Sequence, residues 1–149
     1  MEIVSIIIAI LSAVISIVTF VITVQFEKKK ITLEAVNLLQ NEVLDKFVSI
    51  KKENAELVVG NLDNKKCKEA YNDYRALVAR LDHFAVGVNK HIYSFGIVNS
   101  LVGNHIVHLY NKVEPIINEA NKKEKCILHY FNLYKLVKNL KRRHKKEKL

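Results

Sequence analysis

The longest uninterrupted apolar run in the chain begins at Ile3 and ends at Phe26. Its 24 residues include no charged residue, no Gly and no Pro. As a helix the run would be roughly 36 Å long, and the hydrocarbon core of a bilayer is about 30 Å thick. A soluble helix that is apolar on all sides needs a large domain around it, and the rest of the chain is too short to supply one. We therefore expect residues 3–26 to form a transmembrane anchor.

Small or hydroxyl-bearing residues recur along one face of this predicted anchor. They follow steps of 4, 3, 4, 3 and 4 residues, at Ser5, Ala9, Ser12, Ser16, Thr19 and Thr23. Small residues let membrane helices approach closely, and hydroxyl groups can bond across the contact. The period of 3.5 predicts a left-handed crossing of about +20°. The pattern predicts self-association or contact with a partner helix. In the alternative interpretation, each hydroxyl bonds a carbonyl one turn earlier in its own helix.

The residues that flank the run predict its orientation. Only Met1 and Glu2 precede it, whereas Glu27 and three lysines, Lys28, Lys29 and Lys30, follow it. Because positively charged flanks stay cytoplasmic, we expect the N-terminus outside and the rest of the chain inside an inner (cytoplasmic) membrane. A cleaved signal peptide fits poorly, since the run is too long and lacks a basic flank before it.

The remainder of the chain is strongly basic. All 24 Lys and Arg lie after residue 26, together with 14 of the 15 acidic residues, an excess of ten positive charges. Such a domain beside a membrane indicates anionic lipid headgroups as partners and, less often, nucleic acid. The residues that we assign to the membrane surface are Lys28, Lys29, Lys30, Lys141, Arg142, Arg143, Lys145 and Lys146. For the C-terminal cluster, a solvated, frayed end is the alternative, and no recognised nucleic-acid-binding fold accompanies it.

Hydrophobic periodicity predicts an all-α fold, in which residues 27–141 form an antiparallel cytosolic bundle of about four helices and residues 142–149 form a basic tail. The predicted helices cover residues 31–59, 65–86, 95–113 and 124–141, and Pro115 kinks or restarts the third before it ends near Ala120. The first helix either begins at Thr32 as its N-cap or continues the anchor directly. Gly60–Asn64 is the first loop, Gly87 and Asn89 are stop signals, and Ser94 is an N-cap.

The apolar stripes of the predicted helices indicate the core. On the first helix the stripe comprises Leu33, Val36, Leu39, Val43, Phe47 and Ile50, and on the last it comprises Ile127, Tyr130, Phe131, Tyr134, Val137 and Leu140. Four tyrosines at helical spacings, Tyr71, Tyr74, Tyr130 and Tyr134, fit a Tyr-rich core better than a base-stacking platform. Gly87, Gly96 and Gly103 fit helix termination and tight packing.

The run from Tyr74 to Tyr93, with Phe84-Ala85-Val86-Gly87-Val88 at a helix end, resembles an uncharacterised family of short bacterial membrane-anchored proteins, a domain of unknown function. The segments Leu101–Tyr110 and Pro115-Ile116-Ile117 follow in the order of that family, and the chain departs from it at Asn104-His105, where a Ser-Arg-like pair is expected. The resemblance covers most of the chain. It implies an N-terminal membrane helix and a helical cytosolic domain, and it implies no activity.

Few residues fit a chemical site. His105 and His108 lie three residues apart on one predicted helix, a spacing that can hold a metal, but no HExxH or CxxC motif accompanies them. Asp82 and His83 are sequence neighbours and diverge on a helix. Cys67 and Cys126 fit reduced core residues. We expect no catalytic residues, no metal and no cofactor, and no small-molecule substrate is evident.

These observations predict a non-catalytic, single-pass membrane protein. We expect it to self-associate as a homo-oligomer, to dock a partner protein on its helical domain, or both. One specific hypothesis is an accessory or effector in a bacterial defence or mobile-element system. The alternative is a membrane-tethered nucleic-acid-binding protein.

Overall fold

The computed structural model describes residues 2–47, 65–123 and 130–147, and all regular structure within these ranges is helical. The helices are α1 (Glu2–Leu39), α2 (Lys65–Asn89), α3 (Phe95–Lys123) and α4 (Phe131–Glu147). A π-helical turn, Gln40–Leu44, follows α1, and residues 45–47 are again α-helical. The predicted helical fold class is therefore confirmed for the described part. The predicted loop Gly60–Asn64, residues 48–59 and Cys126 lie outside it.

The predicted anchor and the predicted first helix of the bundle are one helix. Because α1 runs without interruption from Glu2 to Leu39, Thr32 is not an N-cap but an interior residue, and the helix continues directly from the apolar run. The segment from 27 to 31 contains no Gly, Pro or turn-forming residue, so nothing in its sequence breaks the backbone hydrogen-bond ladder. The π-helical turn follows, where the amide of Asp45 donates to the carbonyl of Gln40, five residues earlier.

Buried apolar residues from every helix form one core cluster. The buried positions of α4 follow i, i+3, i+4 and i+7 spacing, which places them on one face: Leu133, Leu136, Val137 and Leu140. The first segment contributes Val36, Leu39, Val43 and Phe47, and α4 lies against both α2 and α3. The core therefore joins the end of α1 to the three other helices, while the first part of α1 lies outside it.

Two predicted core stripes are partly wrong. Leu33 is exposed, because the neighbouring Thr32 occupies the buried face of α1 and is fully buried. On α4, Phe131 and Tyr134 are exposed, and Leu133 and Leu136 take the core positions instead. On α4 two adjacent faces of the helix carry apolar side chains, and contact with α2 and α3 decides which one is buried.

Three helices extend beyond their predicted ends, and the first of them is α2, which continues through Gly87 to Asn89. The third helix does not restart at Pro115, since α3 continues as helix through that residue to Lys123. The last helix runs through Glu147, so the basic residues of the predicted tail are helical up to that point. Lys and Arg are good helix formers, and cations in the last turn interact favourably with the helix dipole.

Candidate functional site

The apolar segment of α1 has no covering surface within the described part of the chain. Every residue from Ile3 to Phe26 is exposed, and the large apolar side chains keep about half or more of their surface accessible. This N-terminal helix is long and apolar enough to span a membrane, judged by its length and composition.

All six residues of the predicted association face, Ser5, Ala9, Ser12, Ser16, Thr19 and Thr23, lie exposed on α1. The hydroxyl of Ser16 donates to the carbonyl of Ser12 at 2.8 Å, and that of Thr23 donates to the carbonyl of Thr19 at 2.9 Å. These two hydroxyls thus make the intrahelical bond of the alternative interpretation. An oxygen that donates in this way keeps acceptor capacity for a second helix.

The association face and the buried face of α1 point in opposite directions. At about 100° per residue, the mean direction of the six small residues and that of Thr32, Val36 and Leu39 differ by roughly 170°. The small residues precede Phe26 and the buried residues follow it, on the same uninterrupted helix. A second helix could therefore contact the small-residue face without meeting the rest of the chain.

Thr32 joins α1 to the connector between α2 and α3, which comprises Lys90–Ser94. Its hydroxyl donates to the carbonyl of Lys28 at 2.6 Å and accepts the backbone N–H of Ser94 at 2.8 Å. Ser94 is the residue just before α3, as predicted for an N-cap, and its carbonyl accepts the amide of Val98. This hydrogen bond fixes the start of α3 to Thr32, which lies six residues beyond the end of the apolar run.

The end of α2 is a Schellman motif that closes on a non-glycine residue. The amide of Ile92 donates to the carbonyl of Gly87 and that of His91 to the carbonyl of Val88, while His91 has a φ of 61°. Tyr93 then folds back and stacks on Phe84, with ring centroids 5.4 Å apart. A Cβ atom on Gly87 would lie 2.3 Å from the ring of Tyr93, so only glycine admits this contact.

A groove between the connector and α4 is lined by most of the predicted C-terminal basic cluster. It has a volume of about 820 Å³, and we call it the basic groove. Its lining includes five Lys and Arg side chains and no carboxylate: Val88, Asn89, His91, Phe95, Lys135, Asn139, Arg142, Arg143, Lys145 and Lys146. Four of the residues that the sequence assigns to the membrane surface, Arg142, Arg143, Lys145 and Lys146, line this groove. Lys135 and His91 were not predicted, although the 4-3-4 spacing of residues 135, 139, 142 and 146 indicates a common helix face.

The other predicted basic residues lie elsewhere. Lys141 faces α3, where its amine donates to Asn111 Oδ1 at 2.9 Å and lies 5.7 Å from the ring centroid of Tyr110. Lys28 is half-buried on α1, and Lys29 and Lys30 are exposed there, two to four residues before Thr32. Lys141 therefore belongs to the contact between α3 and α4 and not to the basic groove.

An apolar groove of about 420 Å³ lies between the end of α1 and α2. Leu38, Leu39, Val43 and Phe84 line it, and an ion pair between Arg80 and Glu42 at 2.9 Å closes its rim. Both partners of this pair are about half exposed, so the pair contributes at most about 1 kcal/mol to stability.

The tyrosines and histidines divide between core and surface. Tyr74 packs edge-on against Phe47, with ring centroids 5.6 Å apart, and its burial raises the pKa of the phenol above 10.0. Burial, together with nearby Glu114 and Tyr134, also raises the pKa of Tyr110. The predicted Tyr-rich core thus includes Tyr74 but not the exposed Tyr134, and the side chain of Tyr71 lies outside the description. His105 and His108 are both exposed, and no group of three potential metal ligands occurs among the described residues.

Comparison with known protein families gives one match that spans most of the chain. The family model is described as "Domain of unknown function (DUF4760)", and it matches residues 5–140. Searches of curated proteins and of solved structures gave no match. The match extends from the apolar segment of α1 into α4, and it agrees with the resemblance to an uncharacterised family. The chain therefore belongs to the DUF4760 family, a domain of unknown function.

Proposed function

We propose that this protein is a non-catalytic, single-pass membrane module that assembles with other copies of itself through its anchor. One observation carries the proposal: α1 is a single helix whose apolar first part is exposed and whose second part is built into the core. In this proposal the N-terminus lies outside an inner membrane and the helical domain lies in the cytoplasm. The surface of the helical domain that faces the cytoplasm is available to bind a cytosolic partner.

The exposed surface of α1 supports the anchoring step. Residues 3–26 expose large apolar side chains on every side of the helix except the small-residue face, and water would solvate them at a cost of roughly 25 cal/mol per Å². A bilayer removes that cost over the length of a helix of this size. Lys28, Lys29 and Lys30 directly follow the run, so the positive-inside rule supports a cytoplasmic domain.

The contacts between helices support a bundle with antiparallel neighbours. The five-residue connector Lys90–Ser94 joins α2 to α3, and a connection this short favours antiparallel neighbours. The anchored end of the bundle is defined by the bond between Thr32 and Ser94. We therefore propose that α2 runs toward the membrane and α3 away from it.

The opposed faces of α1 support self-association. Two copies that meet along Ser12 and Ser16 would carry their helical domains on the outer sides of the pair, because the core packs against the opposite face of α1. Close approach of small residues in lipid favours such contacts.

The test is the native mass of the full-length protein in nanodiscs. Ser12→Leu combined with Ser16→Leu places two branched side chains in the proposed contact and should shift the oligomer toward monomer. The control is Val14→Leu combined with Val21→Leu, which changes the opposite face and should leave the mass unchanged. An oligomer that survives the serine changes, or that the control also dissolves, would refute the contact.

A more specific form of the proposal is an effector of a bacterial defence or mobile-element system, in which assembled anchors perturb the membrane. It predicts dye release from vesicles that contain the wild-type protein, and weaker release with the serine variant. Equal release by both proteins would contradict this form.

The second candidate function is membrane-tethered nucleic-acid binding, and the basic groove is the observation that favours it. Binding through phosphate contacts weakens steeply as salt is raised. The test is RNA and duplex DNA binding by the detergent-solubilised protein over a salt series. Loss of affinity at raised salt and in groove variants would support this candidate, whereas a protein that binds neither would exclude it.

A further inference from the structure

The basic groove lies at the end of the helical domain where the apolar run of α1 stops. Thr32 is six residues beyond Phe26, about 9 Å along the helix axis. The hydroxyl of Thr32 accepts the backbone N–H of Ser94 at 2.8 Å. His91 of the same connector and Phe95, the residue after Ser94, line the groove. A headgroup layer adds roughly 5–7 Å to each side of the hydrocarbon core. With the anchor in a bilayer, this end of the domain therefore lies roughly 2–4 Å beyond the headgroup layer, close enough for long Lys and Arg side chains to reach the phosphates.

The charges of the groove fit an anion. Its lining carries five Lys and Arg side chains and no carboxylate. Arg142 and Lys146 are one helical turn apart on α4, and Lys135 lies on the same face two turns before Arg142. The guanidinium and ammonium groups can surround a phosphate from several sides, because each presents several N–H donors.

An exposed apolar side chain lies beside these cations. Ile92 is at the tip of the connector, directly after the groove residue His91, and 57% of its surface is accessible. Phosphate contacts alone do not give an exposed aliphatic side chain an apolar partner. A lipid interface accepts both groups, since cations meet the headgroups and the apolar side chain reaches the acyl boundary.

We propose that the basic groove and Ile92 form a docking surface for the phosphate headgroups of anionic lipids in the membrane that holds the anchor. The proposal rests on the proposed function in one respect, because it requires α1 to be inserted. It adds a second attachment, which fixes the tilt of the helical domain against the bilayer. Lys29 and Lys30 add exposed positive charge on α1, three and two residues before Thr32.

The chain contains no tryptophan, which allows a direct test. In the Ile92→Trp variant the single indole reports its surroundings through its emission wavelength. The full-length variant is placed in nanodiscs of phosphatidylcholine alone and in nanodiscs that also contain phosphatidylglycerol. We expect a shift to shorter wavelength, and quenching by brominated acyl chains, only with the anionic lipid.

Charge removal gives the matched comparison. In the Ile92→Trp background, Arg142→Gln with Lys146→Gln removes two groove charges, and Lys112→Gln with Lys138→Gln removes two exposed charges elsewhere. The groove pair should lower the docking equilibrium constant by about 30-fold, since the loss of each basic residue near an anionic surface lowers that constant by about fivefold. The control pair should leave the emission shift in place.

Three results would overturn the docking surface. One is equal emission in both lipids, and a second is equal loss in the groove and control pairs. The third is a response of the detergent-solubilised variant to RNA without any response to anionic lipid, which would assign the groove to nucleic acid. Failure to enter either nanodisc would also refute the proposed anchor, whereas insertion without an emission shift refutes the docking surface alone.

Discussion

At the scale of single residues, Thr32 is the polar residue whose hydrogen bonds connect α1 to the start of α3. It is fully buried, and its hydroxyl both donates to Lys28 and accepts from Ser94. A buried hydroxyl with both bonds made is compatible with a core, whereas an amide left without its acceptor is costly. Sequence periodicity did not assign Thr32 to the core, because apolar residues alone define such patterns.

The Thr32→Val substitution should therefore destabilise the helical domain by about 1–3 kcal/mol, because the amide of Ser94 loses its acceptor while the side-chain volume is kept. The Thr32→Ser variant retains the hydroxyl and should lose clearly less. Denaturant unfolding in a mild detergent, followed by tyrosine fluorescence, measures both. Equal losses for valine and serine would show that the methyl group, and not the hydroxyl, is responsible.

A second prediction at this scale concerns the backbone conformation of His91. Its φ of 61° lies in the left-handed region, where a residue with a Cβ atom is disfavoured by about 1–2 kcal/mol relative to glycine. His91→Gly should therefore stabilise the domain by about 1 kcal/mol. His83→Gly, at an exposed position inside α2, should destabilise it by about the same amount. Thermal unfolding of the two variants under the same conditions checks the opposite signs.

At the scale of helices, side chains of α2 bind the first turn of α4. The carboxylate of Asp82 accepts the amide of Leu133 at 2.7 Å, and the side chain of Asn89 donates to the carbonyl of Asn132 at 2.9 Å. The first amides of a helix have no partner within it, and a carboxylate beside them also meets the positive end of the dipole. This contact fixes where α4 begins against α2, and so helps to place the basic residues beside the connector.

Asp82→Ala should cost about 1–2 kcal/mol, as is typical for the loss of a capping side chain. It should also speed hydrogen exchange at the amide of Leu133 more than at the centre of α4. Asp73→Ala, an exposed position on the same helix, is the control and should change neither quantity. Unchanged exchange at Leu133 in the Asp82 variant would contradict the capping role.

At the scale of the whole molecule, the buried tyrosines make the stability of the fold decrease at alkaline pH. Burial raises the pKa of Tyr74 and Tyr110 above the value of 10.0 that applies to an exposed phenol. Their contribution to stability is complete below that value, and it is lost as pH rises through the higher folded-state pKa values. The alkaline loss should therefore be smaller in the Tyr74→Phe, Tyr110→Phe double variant than in the wild type.

Unfolding midpoints at neutral pH and above pH about 10 measure this difference. Tyr134→Phe is the comparison, because Tyr134 is exposed and contributes only through its smaller effect on the pKa of Tyr110, so it should reduce the alkaline loss less than the double variant does. Lysines deprotonate in the same range in all three proteins, so only the difference between them is informative. An identical alkaline loss in wild type and double variant would refute the linkage.

Much of the fold follows from patterns within the chain. The uncharged run predicts a helix long enough for a membrane, and Ser94 predicts the start of α3, because an N-cap is a local interaction. The face of α4 could not be predicted in the same way. Phe131 and Tyr134 continue an apolar stripe as well as Leu133 and Leu136 do, and only contact with α2 and α3 buries the second pair.

Only some residues of the basic groove can be identified from the sequence, because the groove also depends on contacts between helices. The run from Lys141 to Lys148 marks a positive surface by composition alone. His91 belongs to a different element, and only the tertiary structure brings it to α4. Lys141 shows the converse, since it lies in the same run and yet binds Asn111 on another side of the helix.

The unbroken α1 has a mechanical consequence. A helix without a hinge transmits torque, so the helical domain and the apolar segment must turn together about the axis of α1. Inserting one residue after Phe26 would turn the domain by about 100° relative to the apolar segment. Any contact that fixes the rotation of the apolar segment about its axis therefore also determines the direction in which each side of the domain faces.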